Sequence, residues 1–83
     1  MQVEDYLDFS DEDGIRFKGH RIWLHDFLYE VIFNHAGPNA LAERFPTLSL
    51  EKIYIALAYF EKNRWPLTKS VLEEVDRREK VHA

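Results

Sequence analysis

Four histidines, fifteen acids and eleven cations are the residues of this 83-residue chain that could do chemistry. His20, His25, His35 and His82 are scattered, and no pair has the i,i+4 spacing that places two imidazoles on one helix face for a metal. The stretch "DFSDEDG" superficially suggests a calcium loop, with Asp11, Asp13 and Gly14 in register. Such a loop would put Phe9 at the first ligand position and His20 at the bidentate-acid position, so it fails as a site. No glycine-rich phosphate loop and no nucleophile elbow is present. The reading is therefore of a chain with no catalytic residues, no metal site, no cofactor and no enzymatic activity.

What remains is contact chemistry. Arg16, Lys18 and Arg21 project from an N-terminal hairpin, and Ser49 and Lys52 stand at the start of a later helix. Lysine and arginine neutralise phosphates and a serine at a helix start donates to one, so these five residues are the candidate DNA-contacting set. A bland alternative stands beside this reading. Asp8 and Ser10 on the preceding strand can lie directly across from the hairpin cations and neutralise them.

The charge distribution limits any nucleic-acid role. The formal net charge is −4, yet residues 1–13 carry six acids and no base. The remainder holds nine acids and eleven bases, an acidic leader on a mildly basic body. A free-standing DNA-binding domain usually shows a much stronger basic patch, so operator DNA calls for two copies or a partner. The chain has no cysteine, which fits a reducing, cytoplasmic setting. It has no apolar run of the length a membrane span needs and no signal-peptide pattern.

The elements that must hold these groups follow from periodicity. "YLDFS" alternates and reads as a strand over Tyr6–Ser10; "DEDG" is a turn, and "IRFK" a second strand with Ile15 and Phe17 on one face. Gly19 and His20 offer another tight turn into "RIW", giving a hairpin or three-strand meander over 1–23. In "HDFLYEVIFNHAG", Phe27, Leu28, Val31 and Ile32 fall on one helical face, Tyr29 and Phe33 form a ridge on its flank, and Gly37 ends the helix. "PNALAERF" is a short second helix that opens on Pro38 and stops at Pro46. Thr47 or Ser49 caps a third helix from about Leu50 to Asn63. "WP" breaks the chain before a fourth helix within 66–80, whose pairs Glu73–Arg77, Glu74–Arg78 and Asp76–Lys80 mark a solvated face.

The second and third helices, within a three-helix core over 24–63, fit a helix-turn-helix or an ordinary antiparallel pair. Leu41, Phe45, Leu48, Ile53 and Leu57 are the predicted lock between them, with Ala42 at the close crossing. The third helix offers little for base reading. "IYIALAYF" is eight apolar or aromatic residues in a row, so its second covered side is read as another subunit. Tyr29, Phe33, Ile55 and Tyr59 are the predicted homodimer interface.

Taken together, "FKGHRIWLHDFLYE" and "GPNALAERFPTLSLEKIYIALAYF" resemble the small bacterial family known as domain of unknown function 433. The shared features are the Gly19-x-Arg21-Ile22 turn, the amphipathic helix after it, Ala42, Phe45-Pro46-x-Leu48 and Ala56-Leu57-x-Tyr59. They span residues 13–63. His20 departs from the small residue common at that turn, and the tail from Trp65 lies outside the match. The resemblance implies a mainly α fold with a small β-hairpin, around a winged or homeodomain-like helix-turn-helix core. It implies an antitoxin-like regulator of the VapB type that binds a PIN-like toxin partner and operator DNA. The rival expectation is a protein-protein interaction or dimerisation module without DNA binding.

Overall fold

A computed structural model describes residues 2–82, with side chains described over 2–79. The fold is mainly helical with a small two-stranded antiparallel sheet. A short 3-10 turn (Val3–Asp5) leads to β1 (Leu7–Asp8) and β2 (Arg16–Phe17), followed by α1 (Leu24–Asn34), α2 (Pro38–Arg44), α3 (Leu50–Lys62) and α4 (Arg64–His82).

The hairpin is shorter than its alternation predicts. Leu7 pairs with Phe17 and Asp8 with Arg16, but the strand stops where Asp8 turns onto its own chain. Its Oδ1 accepts from the Ser10 N–H at 2.9 Å and from the Ser10 hydroxyl at 2.6 Å. That Asx turn competes with ladder pairing. Asp11 does the same for the Asp13 N–H at 2.8 Å, so these acids serve as turn formers. "RIW" contributes an isolated bridge between Arg16 and Trp23 and no third strand.

α1 ends at Asn34, three residues before Gly37. His35 takes the left-handed conformation at φ 53° and ψ 35°, and its N–H bonds to the Glu30 carbonyl. Gly37 instead sits extended as the residue before α2, with Pro38 at that helix's start. Ser49 caps α3, its hydroxyl accepting from the Lys52 N–H at 3.3 Å.

The break between α3 and α4 is a single residue. Asn63 donates from its backbone to Tyr59 and Phe60 and from its side chain to Tyr59, each near 3 Å. Trp65 and Pro66 belong to the first turn of α4 and do not precede it, because a proline there removes an N–H that has no helical partner anyway.

The core joins every element. Leu7 and Phe17 from the hairpin, Leu24, Phe27 and Leu28 from α1, Leu41 from α2, Leu48 from the turn, Ile53, Ala56 and Phe60 from α3, and Val71 from α4 are buried together. Phe17, Phe27 and Phe45 run as an aromatic file with centroids 5.1 and 5.7 Å apart, linking hairpin to α1 to α2. Of the predicted lock, Leu41, Leu48 and Ile53 are buried, whereas Phe45 and Leu57 are half-buried on its edge. The small residue fully enclosed is Ala56, and Ala42 is only half-buried.

α4 lies antiparallel on α1. Arg78 near its end bonds Asp26 at the start of α1 at 3.0 Å. The expected Glu74–Arg78 pair forms at 3.3 Å, but Arg77 turns to Glu74 rather than Glu73, and Glu73 faces Lys69. The Lys80 side chain of the expected Asp76–Lys80 pair and the His82 imidazole lie outside the described residues. Among the described residues no helix is long and apolar enough to cross a membrane.

Candidate interaction surfaces

The five candidate DNA-contacting residues divide. Arg16 is drawn into the hairpin's own turn, 3.4 Å from the Asp11 carboxylate and with its guanidinium 5.2 Å from the Trp23 ring centre. The other four belong to two segments that meet, Lys18 and Arg21 on the Gly19 turn and Ser49 and Lys52 at the start of α3. Gly19 makes that turn at φ 80°, and the Lys52 ammonium donates to His20 Nε2 at 2.9 Å. This contact brings the turn carrying Lys18 and Arg21 to the first turn of α3.

The charge where these segments meet is mixed. Lys18 donates to the Glu4 carbonyl at 3.3 Å. Glu51, one residue before Lys52, accepts from the Tyr6 hydroxyl at 3.0 Å, and that bond, with burial and the nearby carboxylates, holds the Tyr6 phenol above its usual pKa. Asp8 is held below the usual carboxylate range, first by its two Ser10 bonds and then by Arg16 and Lys18. The hairpin cations therefore have carboxylates and carbonyls at hand. Arg21 is exposed.

The four candidate interface residues lie on two different surfaces. Tyr29 and Phe33 stack with centroids 4.7 Å apart on α1, and remain 40% and 42% exposed. Ile55 and Tyr59 are half-buried on α3. Phe9 meets Tyr59 edge-on at 5.7 Å, and Tyr6 holds Glu51 on the same i,i+4 row of the helix. The N-terminal segment of this same chain thus covers part of the side of α3 that its all-round apolarity assigns to a second subunit.

A third surface carries no candidate from the sequence. The end of α1, the start of α2, the end of α3 and the start of α4 enclose an open groove of about 780 Å³. Val31, Ile32, Leu57 and Phe60 line it, with His35 and Trp65 at its margin. Trp65 is 67% exposed, the most exposed large hydrophobic side chain among the described residues. Glu61 and Arg64 pair beside it, and the Arg64 guanidinium lies 5.3 Å from the Phe60 ring centre. Reading "WP" as a chain break hid this residue; the available signal was a tryptophan standing in a polar stretch with no apolar partner at helical spacing.

No cluster of three or more histidine and carboxylate side chains among the described residues has metal-holding geometry. No protein-family model, curated protein or solved structure matches the chain. The family resemblance rests on the quoted residues alone.

Proposed function

We propose that this chain is a non-enzymatic, antitoxin-like regulator of the cytoplasm that acts by holding a protein partner on its apolar surfaces. The observation that carries this reading is the groove with the exposed Trp65 at its margin. Exposed aromatic side chains beside an apolar hollow are the features of a contact surface, since a tryptophan seated in a partner's pocket is a frequent binding hot spot. A PIN-like nuclease as the partner follows from the family resemblance.

Operator binding is a second reading, favoured by the Lys52–His20 contact, which joins the turn that carries Lys18 and Arg21 to the helix start that carries Ser49 and Lys52. On that reading α2 and α3 form a helix-turn-helix, locked by Leu41, Leu48 and Ile53. Its weakness is the outer face of α3, where Leu50, Tyr54 and Ala58 are exposed and offer no amide or guanidinium for a base edge.

Co-expression with the product of the adjacent gene tests the main reading. We expect a PIN-like nuclease that copurifies with the wild type and is lost from Trp65→Ala at unchanged circular dichroism. An adjacent gene of another kind, or a nuclease that Trp65→Ala retains in full, overturns it. For the second reading, the wild type should shift its own upstream DNA at low salt and the Lys18→Glu, Lys52→Glu double variant should not. Undiminished binding by that variant excludes this set of residues.

A further inference from the structure

Where the hairpin turn, the start of α1 and the far half of α4 meet, four side chains touch in a row. The Arg16 guanidinium lies over the Trp23 ring. Trp23 is stacked on His25, with centroids 5.6 Å apart and planes 13° from parallel. His25 Nε2 in turn faces the Arg78 guanidinium at 3.2 Å. Gly14 closes this end from the turn side at φ 153°, a backbone conformation that favours glycine; a Cβ there would meet the Trp23 ring at 3.4 Å and His25 Nδ1 at 3.6 Å, ordinary contact distances.

Arg78 is the tie between helices. One of its terminal nitrogens donates to both Asp26 and His25 on α1, while its Nε bonds Glu74 on its own helix. A guanidinium has donors only, so His25 Nε2 must present its lone pair, which makes His25 neutral with its proton on Nδ1. An imidazolium has no lone pair to offer and would set two positive charges about 3 Å apart.

We propose that His25 is a proton-operated latch: neutral, it accepts from Arg78 and holds the far half of α4 on α1, and protonated, it releases that half. The other charges facing His25 act in both directions. Asp26 on α1 and Glu74 on α4 favour the imidazolium, as does Asp13, which lines the same small hollow from the turn. Arg77 and Arg78 on α4 oppose it, and Arg16 stands beyond Trp23.

The direction of the balance supports the latch. Burial, the largest influence, holds the His25 imidazole below the usual histidine value; Asp26 pulls it upward, and Arg78 and Arg77 push it down again. Beneath the latch Leu24, Leu28, Leu67 and Val71 line a hollow of about 90 Å³ between α1 and α4. Release in acid therefore opens α4 at the edge of this hollow, while Leu67 and Val71, on the half nearer α3, stay on α1.

Hydrogen-exchange protection of the amides of residues 74–79, measured at pH 7.5 and 5.5 and corrected for intrinsic rates, tests this. The wild type should lose protection several-fold at the lower pH. His25→Gln, which keeps an acceptor that does not titrate, should hold its protection at both. Arg78→Met changes an exposed residue and guards against a misfolded His25 variant. It should be poorly protected at pH 7.5 and lose nothing further at 5.5. A wild type that keeps its protection in acid overturns the latch. So does either variant if it shows the same loss on acidification as the wild type.

Discussion

Single residues carry strain and burial that can be weighed directly. His35 is held at φ 53°, where a side chain other than glycine costs about 1–2 kcal/mol. Part of any relief on replacement is offset by the greater freedom of glycine in the unfolded chain. His35→Gly is therefore expected to raise stability by about 0.5–1 kcal/mol, read as a higher urea midpoint at unchanged slope; a lower midpoint would show that the imidazole makes a contact worth more than the strain. Phe27 and Phe45 provide a second comparison. Phe27 is fully buried between Phe17 and Phe45, so Phe27→Ala should cost about 3–5 kcal/mol. Phe45 is half-buried at the edge of the core and should cost clearly less. Equal losses would mean that the aromatic file, rather than burial, sets the energy. His25 adds a pH dependence. Its folded pKa lies below the ordinary 6.5, so the unfolded chain takes up its proton first. The stability it contributes is complete above about 6.5 and is lost as pH falls through the folded value. Thermal melts of the wild type should drop over that window, and those of His25→Gln should drop less.

Elements are held by their ends as much as by their faces. α3 begins at Ser49, whose hydroxyl takes the Lys52 N–H; Ser49→Ala should cost about 1 kcal/mol. The same change leaves every cation in place, so if operator binding exists it should weaken only slightly. A loss of DNA binding as large as that of the charge-reversed variant would instead give Ser49 a direct phosphate contact. The cap was legible because serine before a periodic apolar run has a local meaning. The four helices were legible for the same reason, as were Leu41, Leu48 and Ile53 in the core. What was not legible depends on competition or on distance. The first strand ends early because the Asp8 carboxylate takes the Ser10 N–H, and pattern alone cannot weigh that bond against a ladder. α1 stops at His35 because a rare left-handed residue does what Gly37 was expected to do. Arg78 reads locally as the partner of Glu74, and nothing in its spacing says that it also reaches Asp26 and His25, more than fifty residues earlier. The candidate cations are visible in the sequence, but their division, Arg16 to Asp11 and Lys52 to His20, is a product of the folded turn.

At the scale of the whole molecule, the question is what an 83-residue chain does with its remaining apolar surface. An α3 that is apolar nearly all round needs cover on a second side, and Phe9 and Tyr6 supply part of it from within the chain. The homodimer proposal then falls to the Tyr29/Phe33 stack, with Leu72 also exposed on the helix packed beside α1. An aromatic side chain buries about 150–250 Å² in full, so two that are some 40% exposed offer on the order of 160 Å². A stable dimer uses about 800 Å² from each partner. The stack supplies roughly a fifth of that, which is enough to seed an association and not enough to make it permanent. Self-association through this ridge should accordingly be weak and reversible. Sedimentation should show a monomer at low micromolar concentration and a growing dimer fraction toward the millimolar range. Phe33→Glu places a charge in the centre of the stack at little cost to the fold, because the side chain is already half in solvent; it should remove the dimer. A wild type that stays monomeric to millimolar concentration would eliminate the homodimer, and a Phe33→Glu variant that dimerises undiminished would move the interface to Trp65 and its groove.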